Sequence, residues 1–227
     1  MEKTVSGTKT RERNPQATRR DILIAAREEF VEYGLDGARV DRIAARAKAN
    51  KRLLYHYVGN KEALYSQVLL DAYKDIRKGE SKLQLAEKNP TEAMAHLVGF
   101  TFDHFRANPW FIRLLSTENI QRGHFAKNMD ELRELNSPII GWIREILAKG
   151  VETGEFRKGV DPLQLYVSVA GLSYFYFSNI HTLSVAFQAP LESDEMQAQR
   201  RTLSIEMVLS FLKSDFVLSE SNYEVTF

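Results

Sequence analysis

The sequence predicts an all-α fold, with a small N-terminal helical unit followed by a larger helical domain. Apolar residues recur three and four positions apart along most of the 227 residues, and clear period-two strand patterns are lacking. Single glycines and Asn-Pro or Asp-Pro pairs separate the helical segments, as is typical of helix ends. Together these observations predict about nine helices.

The composition excludes several classes of protein. Cysteine is absent, which rules out a disulfide framework and a thiolate metal site and fits a reducing compartment. There is no apolar run of about eighteen residues that could span a membrane, and the polar N-terminus lacks the apolar region of a signal peptide. We therefore expect a cytoplasmic protein with no membrane partner.

Charge is distributed unevenly along the chain. Residues 1–61 carry 14 Lys and Arg against 8 Asp and Glu, a balance of +6, whereas the remaining residues carry 17 against 22, a balance of −5. A basic head on an acidic body indicates that one end meets a polyanion. On charge alone, chance unevenness explains the pattern equally well.

The first helix is predicted to begin near Thr18, after a flexible basic arm over residues 1–17 whose polar composition could not bury a core. Thr18 can cap the helix, and Asp21 three residues later resembles half of a capping box. Gly34 is predicted to end this helix, because glycine tolerates the left-handed conformation that follows a helix C-terminus.

Two short helices follow, joined by a tight turn. The second is predicted over residues 40–47, and the third runs from its cap at Asn50 through Tyr57. Asn60 caps a long fourth helix that begins at Lys61. Three helices within about forty residues, the last two joined by a tight turn, are typical of a helix-turn-helix.

The third helix has the two faces that a recognition helix needs. Leu54 and Val58, four residues apart, are expected to be buried. Side chains suited to phosphates and base edges fall on or near the other side: Lys51, Arg52, Tyr55 and His56. A solvated surface position is the alternative for His56, and a core position is the preferred interpretation of Tyr57.

Further breaks divide the C-terminal part into helices. Asn108-Pro109 and Asp161-Pro162 each predict an N-cap followed by proline at the first helical position. The other predicted boundaries are, in chain order, Ser137-Pro138, which interrupts or opens a helix, Gly154, which ends one, Ala189-Pro190, and a last helix from about Glu192 to Leu212.

Residues 40–44 (Val-Asp-Arg-Ile-Ala) and 54–64 resemble the signature of the TetR family of bacterial regulators, and Phe30-x-x-Tyr33-Gly34 fits upstream. The close similarity covers about residues 19–70. Further along, residues 150–156 with Asp161-Pro162 resemble the family's turn between helices seven and eight. Asn108-Pro109, Arg113-Leu114 and Glu118 are weakly similar to the subgroup that contains the pyrimidine-utilisation regulator, whose ligand is not carried over because the tip of the pocket diverges.

The resemblance implies a ligand-responsive transcriptional regulator, most often a repressor, that binds a palindromic DNA operator as a homodimer. It implies a helix-turn-helix domain over residues 18–65 and a ligand-binding and dimerisation domain over residues 66–227. The implied DNA contacts are Arg39, Arg42, Lys51, Arg52, Leu53, Tyr55, His56 and Lys61. Lys48 departs from the family, because many members have glycine there and lysine adopts a left-handed conformation at some cost.

A pocket for an unidentified small-molecule effector, lined from helices four to eight, is also implied. The candidate ligand-binding residues are Phe100, His104, Trp110, Arg113, Glu118 and Tyr174. Arg113 is the expected anchor for an anion or a carbonyl. The alternative is that most of the aromatic residues form core and that His104 is a hydrogen-bonded core histidine.

The family resemblance also implies a dimer interface. Residues 167–177 and the last helix, about residues 201–212, resemble the two helices of each subunit that form a four-helix contact. Small residues allow close packing: Ser168, Ala170, Gly171 and Ser173. An apolar stripe is expected from Ile205, Val208, Leu209 and Leu212, with packing inside the subunit as its alternative.

Two other classes of function are less well supported. For an enzyme there is no His-Glu-x-x-His, P-loop, dinucleotide or nucleophile-elbow motif, and His96 and His104 lie too far apart to bind one metal ion. We therefore expect no catalytic residue, metal site or cofactor. A helical module that binds acidic protein or membrane would suit the basic arm but leaves the recognition helix unexplained.

Overall fold

The computed structural model describes residues 15–213 in two compact units, and the chain passes from the first to the second between Asp71 and Ala72. The described residues form nine α-helices and no strand, so the predicted fold class is confirmed. The helices are α1 Pro15–Gly37, α2 Val40–Arg46, α3 Lys51–Val58, α4 Lys61–Ser81, α5 Pro90–Ala107, α6 Pro109–Ile120, α7 Asp130–Glu152, α8 Pro162–Ala186 and α9 Asp194–Lys213, with short 3-10 helices at Leu85–Glu87 and Ala126–Asn128.

The predicted basic arm lies mostly outside the described residues. Its last three positions, residues 15–17, are already helical, so α1 begins at Pro15 and not at Thr18. Proline suits the first turn of a helix, because the amide hydrogen it lacks would have no intrahelical partner there. Over residues 15–213, no helix is both long enough and apolar enough to cross a membrane.

The N-terminal unit packs α1, α2, α3 and the first half of α4 around a small core. Phe30 and Tyr65 are fully buried with their rings edge to face at 5.2 Å. Gly34 interrupts α1 with a left-handed φ of +66°, as predicted. The Asn50 side chain accepts a hydrogen bond from the Leu53 amide and Asn60 accepts one from Ala63, each at 2.7 Å, so both predicted caps are confirmed.

The C-terminal unit is built around α5, which packs against α7, α8 and α9. Its core combines fully buried residues of these helices: Met94, Leu97, Val98, Ile139, Ile143, Val169 and Leu212. α7 ends before Gly154, and the chain turns back so that the Phe156 ring covers Gly150, where a β-carbon would lie 2.1 Å from the ring. Glycine at position 150 therefore permits this close turn.

One predicted boundary and one predicted side-chain cap in the C-terminal unit are wrong. Pro138 neither interrupts nor opens a helix, because α7 runs through it. Proline removes one backbone hydrogen bond, but α7 buries Ile139 and Ile143 just after that position, and this packing outweighs the local preference. Asn108 precedes α6 as predicted, yet its side chain does not cap that helix. It donates instead to the His104 carbonyl at 2.9 Å.

The Asp161 boundary behaves as predicted. The Asp161 side chain accepts a hydrogen bond from the Gln164 amide at 2.8 Å, and Pro162 occupies the first turn of α8. α8 ends at Ala186, before the predicted break at Ala189-Pro190. α9 begins at Asp194, two residues after the predicted start.

Candidate functional site

α3 presents a polar face to solvent and an apolar face to the unit's core. Leu54 and Val58 are 1% and 2% exposed, which confirms the predicted buried pair. Four side chains on the other side are exposed: Lys51, Arg52, Tyr55 and His56. Leu53 and Tyr57 are half-buried. The helix therefore offers two cations, a phenol and an imidazole on one accessible surface.

The turn between α2 and α3 is tight and well bonded. Lys48 has a φ of +52°, so the left-handed conformation predicted for this departure from the family is present. The Ala49 amide donates to the Ala44 carbonyl at 2.9 Å and the Lys48 amide to Ala45 at 3.1 Å. These bonds hold the turn although lysine adopts this conformation less readily than glycine.

A buried carboxylate fixes α2 against α1. Glu29 is fully buried and accepts hydrogen bonds from the Arg39 amide at 2.9 Å and from Arg42 Nε at 2.6 Å. Burial alone would raise the pKa of Glu29, but the hydrogen bonds from Arg42 and Arg39 outweigh it, and this pKa is lowered. The ion pair and hydrogen bonds at Oε1 of this buried carboxylate therefore set the position of the helix that precedes the recognition helix, while Oε2 has no hydrogen-bond partner among the described residues.

Sequence reasoning did not identify Glu29. The signal was present, since this carboxylate lies beside Phe30 on the apolar face of α1, where an unpaired charge would be costly. Arg42, predicted to contact DNA, is engaged here: its Nη2 donates to the Gly37 carbonyl at 2.8 Å, and its guanidinium lies 4.1 Å from the centre of the Tyr33 ring.

The other side chains predicted to contact DNA differ in the contacts that they make within the protein. Arg39 is exposed at the N-cap of α2, and Lys51 forms an exposed ion pair with Asp41. Lys61 donates from Nζ to the Leu35 carbonyl at 2.9 Å and to Ala38 at 3.4 Å, which satisfies carbonyls at the end of α1. Contact of all eight residues with DNA remains a prediction.

The C-terminal unit contains an open cavity of about 460 Å³ with walls from α4, α5, α6, α7 and α8. A pocket between helices four and eight was expected, and this cavity fits that expectation. Its lining is mostly apolar and aromatic: Tyr73, Ile76, Arg77, Phe105, Phe111, Leu115, Asn119, Leu132, Asn136, Ile139, Ile140, Leu163, Tyr166, Val167, Ala170, Gly171 and Tyr174.

Arg77 supplies the cavity with a buried cation. It is 7% exposed, and its Nη2 donates to the Tyr166 hydroxyl at 2.6 Å. Its Nη1 lies 2.8 Å from Oε2 of Glu80, one turn further along α4. That contact is an ion pair without hydrogen-bond geometry, and Nε has no hydrogen-bond partner among the described residues. Arg77 thus lines the cavity and keeps donors that no described residue satisfies, with Nε and Nη1 themselves buried.

Of the six predicted ligand residues, Tyr174 lines this cavity, with its hydroxyl 2.8 Å from Ser116 Oγ. The other five are not among the described residues of its lining. Arg113, the expected anchor, is exposed. Glu118 is buried, but its Oε1 is occupied by the Phe125 and Ala126 amides, both at 2.9 Å.

The remaining three predicted residues belong to the aromatic packing around the cavity. The rings of His104 and Trp110 lie 5.5 Å and 5.9 Å from that of Phe111, which lines the cavity. Phe100 packs over Gly79 of α4. His104 is half-buried, and burial lowers its pKa, so a neutral imidazole is favoured there. This agrees with a core position for His104, but not fully with a hydrogen-bonded one: Nδ1 lies 3.5 Å from Asn108 Nδ2, and the buried Nε2 has no hydrogen-bond partner among the described residues.

Glu80 makes the stability of the protein depend on pH. It is 1% exposed, and burial raises its pKa to about 7, with Arg77 opposing the rise. The folded protein then binds more protons than the unfolded chain between pH 4.5 and 7, so this residue's contribution to stability falls as pH rises through that window. As pH rises from 4.5 to 7, we expect the free energy of unfolding of Glu80→Gln to increase by about 3 kcal/mol relative to that of wild type.

Urea unfolding at a series of pH values measures this difference. Glu87→Gln, which changes an exposed carboxylate a few residues away, is the control and should track the wild type. Parallel stability curves for Glu80→Gln and wild type across the window would contradict the assignment.

The expected apolar stripe of α9 packs inside the subunit, which is the alternative considered for it. Val208 and Leu212 are buried in the core, and Ile205 and Leu209 pack against it. A different stripe is exposed on α9, formed by Leu203, Met207 and Phe211. α8 presents Leu163, Val167 and Phe175 to solvent at spacings that are multiples of four. We call these six residues the α8–α9 face.

Within the α8–α9 face, Phe175, Met207 and Phe211 connect the two helices, whereas Leu163 and Val167 line the cavity described above. Residues of both helices line one groove, including Ser168, Gly171 and Phe175 of α8 and Met207 and Phe211 of α9. The small residues Ser168 and Gly171 are exposed as the predicted interface requires, whereas Ser173 is fully buried. A contiguous apolar surface of this kind is typical of a protein–protein contact.

Comparison with known proteins identifies two matching sequence families. A family described as "Bacterial regulatory proteins, tetR family" matches residues 22–68, and one described as "Tetracyclin repressor-like, C-terminal domain" matches residues 90–208. The HTH-type transcriptional repressor NicS of Pseudomonas putida is 34% identical over 206 residues, which cover 91% of this chain and 97% of NicS.

Two further similarities extend this result. The HTH-type transcriptional regulator RutR of Escherichia coli is 28% identical over 172 residues, which cover 76% of this chain and 79% of RutR. The crystal structure of the transcriptional regulator FadR from Bacillus subtilis in complex with stearoyl-CoA superposes with a TM-score of 0.64 at 19% identity, covering 85% of this chain and 98% of that one. At that identity the likeness to FadR concerns the fold alone.

Proposed function

Since the chain belongs to the TetR family of DNA-binding transcriptional repressors, we propose that it binds a palindromic operator as a homodimer and that a small molecule in the α4–α8 cavity controls this binding. The observation that carries the proposal is the exposed cationic and phenolic face of α3. Side-chain caps before α3 and before α4 hold this helix in place. It acts as a regulator in the cytoplasm, not as an enzyme.

DNA binding uses one α3 from each subunit. Two recognition helices enter successive major grooves about 34–36 Å apart on a pseudo-palindrome. Lys51, Arg52 and Arg39 are suited to phosphates, which position the protein, whereas Tyr55 and His56 are suited to base edges, which carry sequence information. Lys61 and Arg42, already bonded to carbonyls and to Glu29, support this surface from behind and contact DNA with their remaining donors.

Dimerisation uses the α8–α9 face. Its exposed apolar side chains, Phe175 and Met207 among them, would otherwise remain in water at a cost of roughly 25 cal/mol per Å² of apolar surface. Exposed Ser168 and Gly171 allow the helices of two subunits to approach closely. An isologous contact of this type places the two α3 helices symmetrically, as a palindromic operator requires.

The cavity controls DNA binding through a difference in affinity. An effector that fits one arrangement of the protein better than the other shifts the population toward the first, and only to the extent of that difference. α4 carries both Lys61 at its first residue and the cavity residues Tyr73 and Arg77. A displacement along α4 on effector binding would therefore reach the DNA-binding part of the chain.

The test is footprinting of the purified protein on the DNA upstream of its own gene, at two salt concentrations. We expect a protected palindrome whose protection weakens steeply with salt, because cationic contacts release counterions from DNA. If neither this DNA nor a genome-wide selection of fragments yields a palindrome, the proposal is overturned. Salt-sensitive binding without sequence preference would favour an interaction module for acidic surfaces instead.

A further inference from the structure

We propose that the effector is an organic anion whose carboxylate or similar oxyanion is held by Arg77, with an apolar, ring-containing body enclosed by the cavity. The inference rests on the proposed function, because it names the chemical class of molecule that would control the repressor. It starts from the charges of the lining residues. Among the described residues that line the cavity, Arg77 is the one with a formal charge.

The guanidinium of Arg77 has donors that no described residue satisfies. It carries five N–H groups, of which Nη2 donates to Tyr166 and Nη1 faces Glu80 in an ion pair. Nε has no hydrogen-bond partner although the side chain is 93% buried, being 7% exposed. Buried unsatisfied donors are costly, and an oxyanion satisfies two of them at once in the planar geometry that arginine favours.

Glu80 leaves the charge of Arg77 available to a ligand. Its carboxyl group is not part of the described cavity lining and lies along α4 from the guanidinium. Neither of its oxygens makes a hydrogen bond among the described residues, and burial raises its pKa to about 7. A carboxyl group with a pKa raised to about 7 is partly protonated at neutral pH, so it competes less strongly for the cation than an ordinary carboxylate would.

Two phenols complete the polar end of the cavity. Because the Tyr166 hydroxyl accepts from Arg77, its own proton is available for a second acceptor beside the guanidinium. Burial raises the pKa of Tyr73 to about 12, so this phenol stays neutral and keeps a proton to donate. Donors gathered around one cation favour an oxyanion over an amine or a second cation.

The rest of the cavity determines the body of the ligand. Its other walls are aliphatic and aromatic, with Phe105 and Phe111 stacked at 5.7 Å and Tyr174 in contact with Phe105 at 6.0 Å. A volume of about 460 Å³ is that of a site for a small organic molecule. An anion without an apolar body, such as inorganic phosphate, would leave these walls unfilled.

Two fluorescent probes test this while the effector itself is unidentified. Anilinonaphthalene sulfonate carries an ionised sulfonate on an aromatic body, and N-phenyl-naphthylamine has the same rings without it. We expect the double variant Arg77→Met, Glu80→Gln to raise the Kd of the anionic probe about tenfold or more and to leave the Kd of the neutral probe within about twofold. Circular dichroism checks that the double variant is folded.

Two control variants test whether the change in the Kd of the anionic probe depends on Arg77. Arg113→Met removes an exposed arginine outside the cavity lining and should leave both dissociation constants unchanged. Glu80→Gln keeps Arg77 and should bind the anionic probe as tightly as wild type or more tightly. The inference is overturned if the double variant shifts both probes equally or neither, or if Arg113→Met weakens the anionic probe as much.

Footprinting without probe tests the proposed function independently of the probe titrations. Wild type without probe should protect a palindrome in footprints. If the palindrome is protected but the anionic probe shows no dependence on Arg77, the regulator proposal stands and the anion inference fails. If no palindrome is found, the proposed function fails whatever the probes show.

Discussion

Replacing Lys51 and Arg52 by alanine is expected to weaken operator binding about 1000-fold, because four cationic contacts are lost from a dimer and each contributes on the order of 1 kcal/mol. Both side chains are exposed on α3 and take no part in its core, which depends on Leu54 and Val58. The helical content and the oligomeric state should therefore stay as in wild type. Electrophoretic mobility shifts on the footprinted operator measure the effect.

The salt dependence of the same measurement distinguishes phosphate contacts from a general loss of charge. The slope of log K against log salt should fall by about one for each phosphate contact removed. The control is Lys78→Ala with Lys82→Ala, which removes two exposed lysines from the C-terminal unit and should leave affinity and slope unchanged. Equal weakening in both double variants would argue against α3 as the DNA-contacting helix.

Phe175→Glu together with Met207→Glu is expected to convert the dimer to monomers and to abolish specific operator binding at concentrations that saturate the wild type. Both side chains are exposed on the α8–α9 face, so the fold of each subunit tolerates the charge. Because the interface is symmetric, each substitution places one negative charge from each subunit in the apolar contact. Removing these like charges from water is costly. Sedimentation velocity measures the change in mass.

The control for the dimer prediction is Ile120→Glu. Ile120 is 82% exposed at the end of α6, outside the α8–α9 face, so it tests whether any new surface charge has the same effect. We expect this variant to remain dimeric and to bind the operator normally. A charge-substituted α8–α9 face that still supports dimers would mean that the subunits associate elsewhere.

The N-terminal unit could be predicted from sequence because its signals are local. Asn50 and Asn60 each cap the helix that follows them, and Gly34 adopts the left-handed conformation that ends the regular part of α1. These effects involve residues three or four positions apart, so they are visible before the fold is determined. The exposure of Arg52 and Tyr55 follows from the same helical spacing.

The cavity was less predictable because its residues come from five helices. The sequence shows that Arg77 and Arg113 both lie in helical segments near aromatic residues, but not which of them turns inward. Arg77 lies within the apolar stripe of α4, beside Ile76, with Glu80 at the spacing of an ion pair. That combination was the available signal, because a charge on an apolar stripe needs a partner.

The α9 stripe was assigned to the wrong contact for a related reason. Apolar residues occur on more than one side of α9, so periodicity alone does not indicate which side meets the core. Pro138 shows the same limit, because local preference predicts a break in α7 and the packing of Ile139 and Ile143 overrides it. Both errors arise where long-range contacts decide the outcome.

The arrangement of α9 bears on how such regulators diversify. Positions 204, 208 and 212 are buried and positions 203, 207 and 211 are exposed, so the two roles fall on neighbouring residues that do not share a surface. If the outward positions form the proposed dimer contact, substitutions there change which chains associate without opening a cavity in the core. After a gene duplication, two copies can therefore lose their affinity for each other while each keeps its fold. Two such regulators in one cell then do not form mixed dimers.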